Sequence, residues 1–449
     1  MAFSGDRSWN VIFAGVSPAP FSLRKIAVPA FGPSFLFGLG EGAILPAVPL
    51  SVRDLGGSVS LAALVVTLIG IGSLASNLPA SLITARYGER RAIVGASIWC
   101  ALGMLLCLLA PGIGSFATGI VMVGMSAAVF NLARLSYLTE AVPLYLRARA
   151  LSTLGGVMRI GLFIGPFAAA GLIHFIGLSG AWWVGMAALL ASAMLAVRMA
   201  DLPGDGGAGA GAGAAESSAA GGAAGGTGSG ASSGAPGGAP GGAAVPAAEP
   251  TLRSIMATHR KVFLTVGMGI VMISAVRASR QAIIPLWAEH IGLDAARASL
   301  VYGLSSAADM LVFYPAGKLM DTKGRNWVAV PCMAIMGVAL LTIPFTASVI
   351  PFLLASLLVG FGNGLGSGIV MTLGADHSPA RGRAHFLGVW RLLSDIGGTG
   401  GPALLSAVTA AATLAAGIGA SAWLAFLGAA ILGYWIPRVR PLAVGAGRP

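Results

Sequence analysis

Residues 81–91 read SLITARYGERR, and residues 317–326 read GKLMDTKGRN. In each, an apolar stretch runs into arginine or lysine around a glycine, and a second apolar stretch follows. Glycine permits a tight turn and basic side chains are at home among lipid phosphates. Both copies therefore read as a hinge between two membrane-crossing helices on the positively charged side, and their recurrence divides the chain into two similar halves.

Working outward, the chain is 449 residues long, 56% apolar and only 9% charged, a balance that soluble domains do not show. A span needs about 20 mostly apolar residues, and about twelve such segments follow one another. Open sheet edges have no partners in lipid, so the spans are helices. They are predicted at 29–52, 60–85, 92–110, 115–138, from the basic loop 143–149 to 175, and 181–199. The second set is predicted at 262–289, 298–320, 327–346, 348–373, 384–411 and 414–436. The fold class is thus an all-α polytopic membrane protein, twelve transmembrane helices in two pseudo-symmetric six-helix bundles. The domains read as a tail 1–28, a bundle 29–202, a linker 203–250, a second bundle 251–437 and a tail 438–449. The linker is nearly all Gly, Ala, Ser and Pro, with no residue large enough to nucleate a core, and reads as a flexible tether.

The net charge of +12 follows topology rather than a nucleic-acid partner. Arg86, Arg90, Arg91, Arg147, Arg149, Arg260, Lys261, Lys323, Arg325, Arg381, Arg383, Arg438 and Arg440 fall on one side, and Arg53 and Arg297 on the other. The positive-inside rule places both termini in the cytoplasm. Cys100, Cys107 and Cys332 lie in apolar spans as small hydrophobes, with no disulfide framework and no metal spacing. No cleaved signal peptide is read in the opening residues. Expected partners are a small-molecule substrate, protons and the lipid bilayer, with no cofactor and a monomeric state; an enzyme is not expected.

The halves also match in detail. Ala43-Ile44-Leu45-Pro46 recurs as Ala282-Ile283-Ile284-Pro285, and Gly161-x-x-x-Gly165-Pro166 recurs as Gly397-x-x-x-Gly401-Pro402. Six plus six spans in the same orientation form a parallel repeat. On these residues the chain resembles a major facilitator superfamily transporter over all but the linker and tails. The family's loop motif G-x-L-a-D-[RK]-x-G-[RK]-[RK] is matched in the second copy by Gly317, Leu319, Asp321, Gly324 and Arg325. The first copy keeps Arg86, Gly88 and Arg90 but has Ser81 for the glycine and Ala85 for the aspartate. The resemblance implies gating loops, and implies that the absent aspartate weakens a first-half latch of the outward-facing state. Gly161, Gly165 and Pro166, followed by Ala169, Ala170 and Gly171, are similar to the fifth-span motif associated with drug:proton antiporters. The fourth-span motif is partial: Gly124 to Ala128 fit its small-residue end, and Ile120 stands where it has arginine.

Eight ionisable residues lie well inside predicted spans: Glu41, Arg134, Arg159, Arg277, Arg280, Asp309, Arg391 and Asp395. Each would cost about 2.5 to 3.5 kcal/mol facing lipid at a helix centre, so they pair or line water. Burial disfavours a carboxylate's charge. Glu41, flanked by Gly38, Gly40 and Gly42, which leave room around it, is accordingly the first candidate for proton coupling, with Asp309 and Asp395 as further candidates. Asp395 follows Arg391 by one helical turn and is also expected to pair with it. Arg277 and Arg280 are one turn apart and suit a carboxylate or phosphate, with Gln281, Asn363 and Arg391 as further substrate-binding candidates. Alternatively they neutralise Glu41 and Asp309. Arg134 and Arg159 are expected to snorkel toward the basic face. Phe37, Phe130, Trp287, Tyr302 and Trp390 are weaker candidates for lining a cavity.

The functional expectation is a secondary transporter of the bacterial inner membrane working by alternating access. Its first form is proton-coupled efflux of a hydrophobic or amphipathic compound. Its second is transport of an organic anion or small metabolite held by Arg277 and Arg280. A non-transporting receptor or scaffold is the third.

Overall fold

The structure is a computed structural model and describes residues 23–142, 144–199, 251–379 and 381–439. The 203–250 linker and most of both tails lie outside the described residues, as do the side chains of Arg147 and Arg149.

Among the described residues, twelve helical spans follow in order. Span one comprises Leu23–Ile44 and Ala47–Asp54, broken at Leu45 and Pro46; spans two to six are Val59–Tyr87, Glu89–Leu108, Ile113–Ala141, Leu144–Ile176 and Ser179–Val197. Two short helices, Leu252–Thr258 and Arg260–Leu264, lead into span seven, Val266–His290. Spans eight and nine are Ala295–Lys323 and Asn326–Thr342; span ten is Val349–Leu365 and Ile369–His377; spans eleven and twelve are Arg383–Ala411 and Leu414–Trp435. The break in span ten is not anticipated from its apolarity. It falls where Gly364, Gly366 and Gly368 leave the backbone least constrained.

Ten of these helices are long and apolar enough to cross a membrane. Spans eight and eleven are not among them. They carry Arg297, Asp309, Lys318, Asp321 and Lys323, and Arg383, Arg391 and Asp395, respectively. Charge of that density is tolerable only where a helix is covered by protein or lines water.

Each half packs in the same pattern. Span one lies against five and six, two against four, and three against four and six; seven lies against eleven and twelve, eight against ten, and nine against ten and twelve. The repeated glycine pairs explain the first of these matches. A side chain at Gly161 or Gly165 would run into the backbone of span one at Phe35 and Leu39, and one at Gly397 or Gly401 into span seven at Val271 and Ala275. Gly38 and Gly42 return the contact, against the Met158 and Leu162 carbonyls. Those glycines do not leave room around Glu41, as their sequence suggests; they let span five close over span one.

The hinges also match. Gly88 (φ 80°) ends span two and Gly324 (φ 95°) ends span eight, each with an extended ψ that a side chain would strain. At the other face, Ser58 and Asp294 cap the starts of the same two spans by accepting hydrogen bonds from the Leu61 (3.2 Å) and Arg297 (2.8 Å) amides.

The halves meet through spans two and eleven and through spans five and eight. Gly70, Asn77, Ser81 and Ala85 share one face of span two by helical spacing. At the top of that face Gly70 abuts Thr399, and lower down the Asn77 amide donates to Asp395 Oδ2 at 3.3 Å. Below that, Ser81 and Ala85 are exposed. Span eight repeats the trend, packed on Phe167 at Gly303 but exposed at Leu311 (77%) and Tyr314 (76%). The bundles therefore touch at the face away from the basic loops and part toward the basic face. The closed face is sealed by Arg53 Nε, which donates to Glu289 Oε1 at 2.9 Å and Oε2 at 3.2 Å. The Ser406 hydroxyl adds a bond to the Ser60 carbonyl at 2.7 Å.

Candidate functional site

Where the halves part, the intramembrane charges converge. Arg277 and Arg280 lie one turn apart on span seven, Asp309 on span eight, Asn363 on span ten and Arg159 on span five. Asp309 is 3.8 Å from Arg280 Nη1 and 3.8 Å from Arg159 Nη1, so one carboxylate sits between guanidiniums of opposite halves. The Asn363 amide donates to Asp309 Oδ2 at 2.5 Å, and Arg277 Nη2 donates to the Asn363 carbonyl at 3.3 Å. Arg159 lies over the Phe313 ring at 4.5 Å and Arg280 over Tyr302 at 5.7 Å.

The cluster is short of acceptors. Arg277 Nε and Arg280 Nη1 are buried without a hydrogen-bond partner, and so is Asp309 Oδ1. At 3.8 Å the Asp309 pairs are electrostatic contacts longer than a hydrogen bond. Three arginines around one aspartate leave a surplus of positive charge in surroundings of low dielectric, where an unmade hydrogen bond to a charged group is costly.

Arg159 does not snorkel. Its reach is taken by Asp309, because an opposite charge within a few ångströms in a poorly screened interior outweighs a longer stretch to water. Arg134 of span four likewise stays inside, with Nε and Nη1 buried and without hydrogen-bond partners. Among the described residues Glu41 makes no salt bridge, with the arginines of span seven or with any other cation, and Arg134 is the charge that acts on it. Glu41 faces a small cavity of about 10 Å³ lined by Phe37, Ile44, Cys100, Met104 and Leu189, on the order of one water molecule.

Asp395 and Arg391 do meet along span eleven, at 3.7 Å, and Asp395 also receives the Asn77 hydrogen bond from the other half. Arg391 is the most open of the set, its side chain 58% exposed. Gln281 is partly buried beside Arg280. The aromatic candidates are mostly packing: Phe37 stacks on Phe130 at 3.9 Å, Trp287 donates to the Thr346 hydroxyl at 2.9 Å, and Trp390 donates to the Val370 carbonyl at 2.7 Å. Asn77, absent from the candidates drawn from sequence, had one signal: an amide side chain within an apolar span.

The two loops differ in what holds them. Arg325 Nε donates to Asp376 Oδ2 at 2.8 Å, and Arg325 Nη1 reaches Asp321 at 3.5 Å and the Met320 carbonyl at 3.1 Å. The Asp376 hydrogen bond holds the Arg325 guanidinium above its ordinary range. In the first loop Arg86 lies over Tyr87 at 5.6 Å and Arg90 donates to the Met199 carbonyl at 3.3 Å. Gly317 borders open space. Ile120 is fully buried among apolar neighbours, in place of the motif arginine.

Comparison with known proteins accords with this geometry. The family model of the Major Facilitator Superfamily matches residues 31–402. Two Bacillus subtilis (strain 168) proteins are similar in sequence. The uncharacterised MFS-type transporter YfkF is 26% identical over 33% of this chain and 41% of its own. YwtG, named as a metabolite transport protein, is 28% identical over 27% of each. The chain thus spans less than half the length of these relatives. Among solved structures, a bacterial homologue of the human lysosomal transporter Spinster, in an inward-facing and unoccupied conformation, aligns with TM-score 0.70 and 13% identity over 91% of this chain and 95% of its own. A D-xylose–proton symporter aligns with TM-score 0.67 and 14% identity over 95% of this chain and 100% of its own.

Proposed function

The chain belongs to the Major Facilitator Superfamily, and from that premise we propose that it is a secondary active transporter that moves a small organic anion through the membrane, coupled to protons. The observation that carries this reading is the group of Arg159, Arg277 and Arg280 around the single carboxylate of Asp309, with guanidinium nitrogens buried and unpartnered. A substrate carboxylate or phosphate supplies the missing acceptors in bidentate fashion.

By the positive-inside rule the basic face is cytoplasmic, both termini with it, and the parted bundles form an inward-open state. Arg159 and Asp309 belong to opposite halves, so an anion that takes Arg159 and Arg280 from Asp309 loosens a bridge between the bundles. Substrate binding and rocking are linked by that exchange of partners. Glu41, partly buried in the first half with Arg134 the charge acting on it, is the proton carrier, and Asp395 with Asn77 forms a second polar link across the interface. The loops around Gly88 and Gly324 then close the cytoplasmic face.

Efflux of a hydrophobic compound has less support in the geometry. The Gly161–Gly165 pair that suggested it performs the same helix packing as Gly397–Gly401 in the other half, so it does not single out an exporter.

The test uses proteoliposomes with an imposed pH gradient, offered organic anions, lipophilic cations, neutral drugs and sugars while luminal pH is followed. Proton flux evoked by anions and lost in Arg280→Gln supports the reading. Flux evoked only by lipophilic cations or neutral drugs overturns it in favour of efflux.

A further inference from the structure

Spans two and three meet at the Gly88 hinge on the basic face and diverge away from it, and span four closes the gap between them. The result is a groove of about 500 Å³ lined by Pro79, Ile83, Tyr87, Arg91, Gly95 and Trp99 among others, with Met125 and Val129 of span four at its floor. The groove is on the other side of span two from the stripe that faces span eleven, so it is separate from the central site. Trp99 and its neighbours Ile98 and Leu102 are about half exposed, which sets span three at the periphery, against lipid.

Its dimensions and chemistry are graded along the membrane normal. From Ser76 to Tyr87 the wall rises about 16 Å at 1.5 Å per residue, close to the depth of one leaflet of a hydrocarbon core about 30 Å thick. The deep walls are apolar. The rim holds Arg91, exposed and with no ion pair among the described residues, beside Tyr87, whose ring lies near Arg86. The second loop has Trp327 at the position of Arg91, and its own arginine, Arg325, is occupied by Asp376 and Asp321.

We propose that this groove binds one anionic phospholipid of the leaflet at the basic face, with an acyl chain between spans two and three and the phosphate on Arg91. A basic side chain at headgroup depth above a slot one leaflet long fits a lipid better than it fits a soluble anion, which has no use for the slot. It also fits better than an uncharged amphipath, which has no use for the arginine. The occupied groove props span two where it parts from span eleven, so lipid charge acts on the open state of the basic face.

The test uses the full chain in nanodiscs containing phosphatidylglycerol or phosphatidylcholine with brominated acyl chains. Quenching of Trp99 is isolated as the difference between wild type and Trp99→Phe. Brominated phosphatidylglycerol is expected to quench at about fivefold lower mole fraction than brominated phosphatidylcholine, the factor one basic side chain contributes near the surface. Arg91→Gln is expected to bring the two lipids to parity, while Arg91→Lys and Arg86→Gln keep the preference. A side chain at Gly95 enters open space, so Gly95→Leu fills the groove without a clash and lowers quenching by both lipids. Equal quenching in wild type, a preference that survives Arg91→Gln, or unaltered quenching in Gly95→Leu overturns the proposal. Displacement of the lipid by a transported anion also overturns it, by making the groove a substrate site. Apart from that displacement, none of these outcomes depends on what the central cavity carries.

Discussion

The two halves share a backbone and differ in their charges. Both bend at a positive-φ glycine between their second and third spans, Gly88 and Gly324, and both close their first and fifth spans through paired glycines. Yet the second half holds three of the four residues of the charged cluster, and its loop arginine is pinned by two aspartates. The first half contributes one partly buried carboxylate, two partly buried arginines and a loop without its aspartate. The repeat fixes a scaffold of two similar bodies, and charge is distributed over it unevenly. On the proposed reading, that unevenness divides substrate and proton between the halves.

The largest effects fall on what the halves share. Gly161→Leu and Gly397→Leu each drive a side chain into the facing backbone, at a cost of about 3 kcal/mol or more. Both are expected to abolish monodisperse protein in size-exclusion chromatography. Survival of one but not the other would break the symmetry of the scaffold.

The next effects fall on what the halves do not share. Asp309→Asn leaves three arginines around no anion and is expected to cost about 3 kcal/mol in thermal unfolding and to eliminate anion flux. Asp395→Asn removes a partner of the more exposed Arg391 and is expected to cost less than about 1 kcal/mol. Equal costs would mean that the cluster is not the special region of the interface. At the sealed face, Glu289→Gln removes one partly exposed ion pair, worth about 1 kcal/mol at most. It is expected to shift the inward-open population by up to about fivefold in distance distributions between spin labels across that face. The smallest change is expected from Ala85→Asp. It adds the first loop's missing carboxylate on a side chain that faces the cleft in the present state, so it should shift those distributions toward the closed basic face with little effect on unfolding.

The span limits were legible within a few residues, because an apolar run of membrane length bounded by arginine, glycine or proline has few other solutions. The repeat was legible from two loops and two glycine pairs. The meeting of Arg159 with Asp309 was not: these residues lie on different halves, and which face of span five turns inward depends on how Gly161 and Gly165 seat against span one. Glu41 shows the same limit. Its glycine neighbours read as space, but they are where span five presses closest, and its cation came from Arg134, whose position near a helix end suggested snorkelling. The break in span ten had a signal in its alternating glycines, hidden by the apolarity around them.

On the proposed reading the arginines of the second half, with Arg159 of the first, grip the anion, while Glu41 of the first half carries the proton. The direct measurement compares, in proteoliposomes, accumulation of a labelled anion driven by a pH gradient with its exchange at equal pH. Glu41→Gln is expected to lose accumulation but keep exchange, and Arg280→Gln to lose both. Accumulation that persists in Glu41→Gln, or exchange that persists at wild-type rate in Arg280→Gln, would contradict that reading.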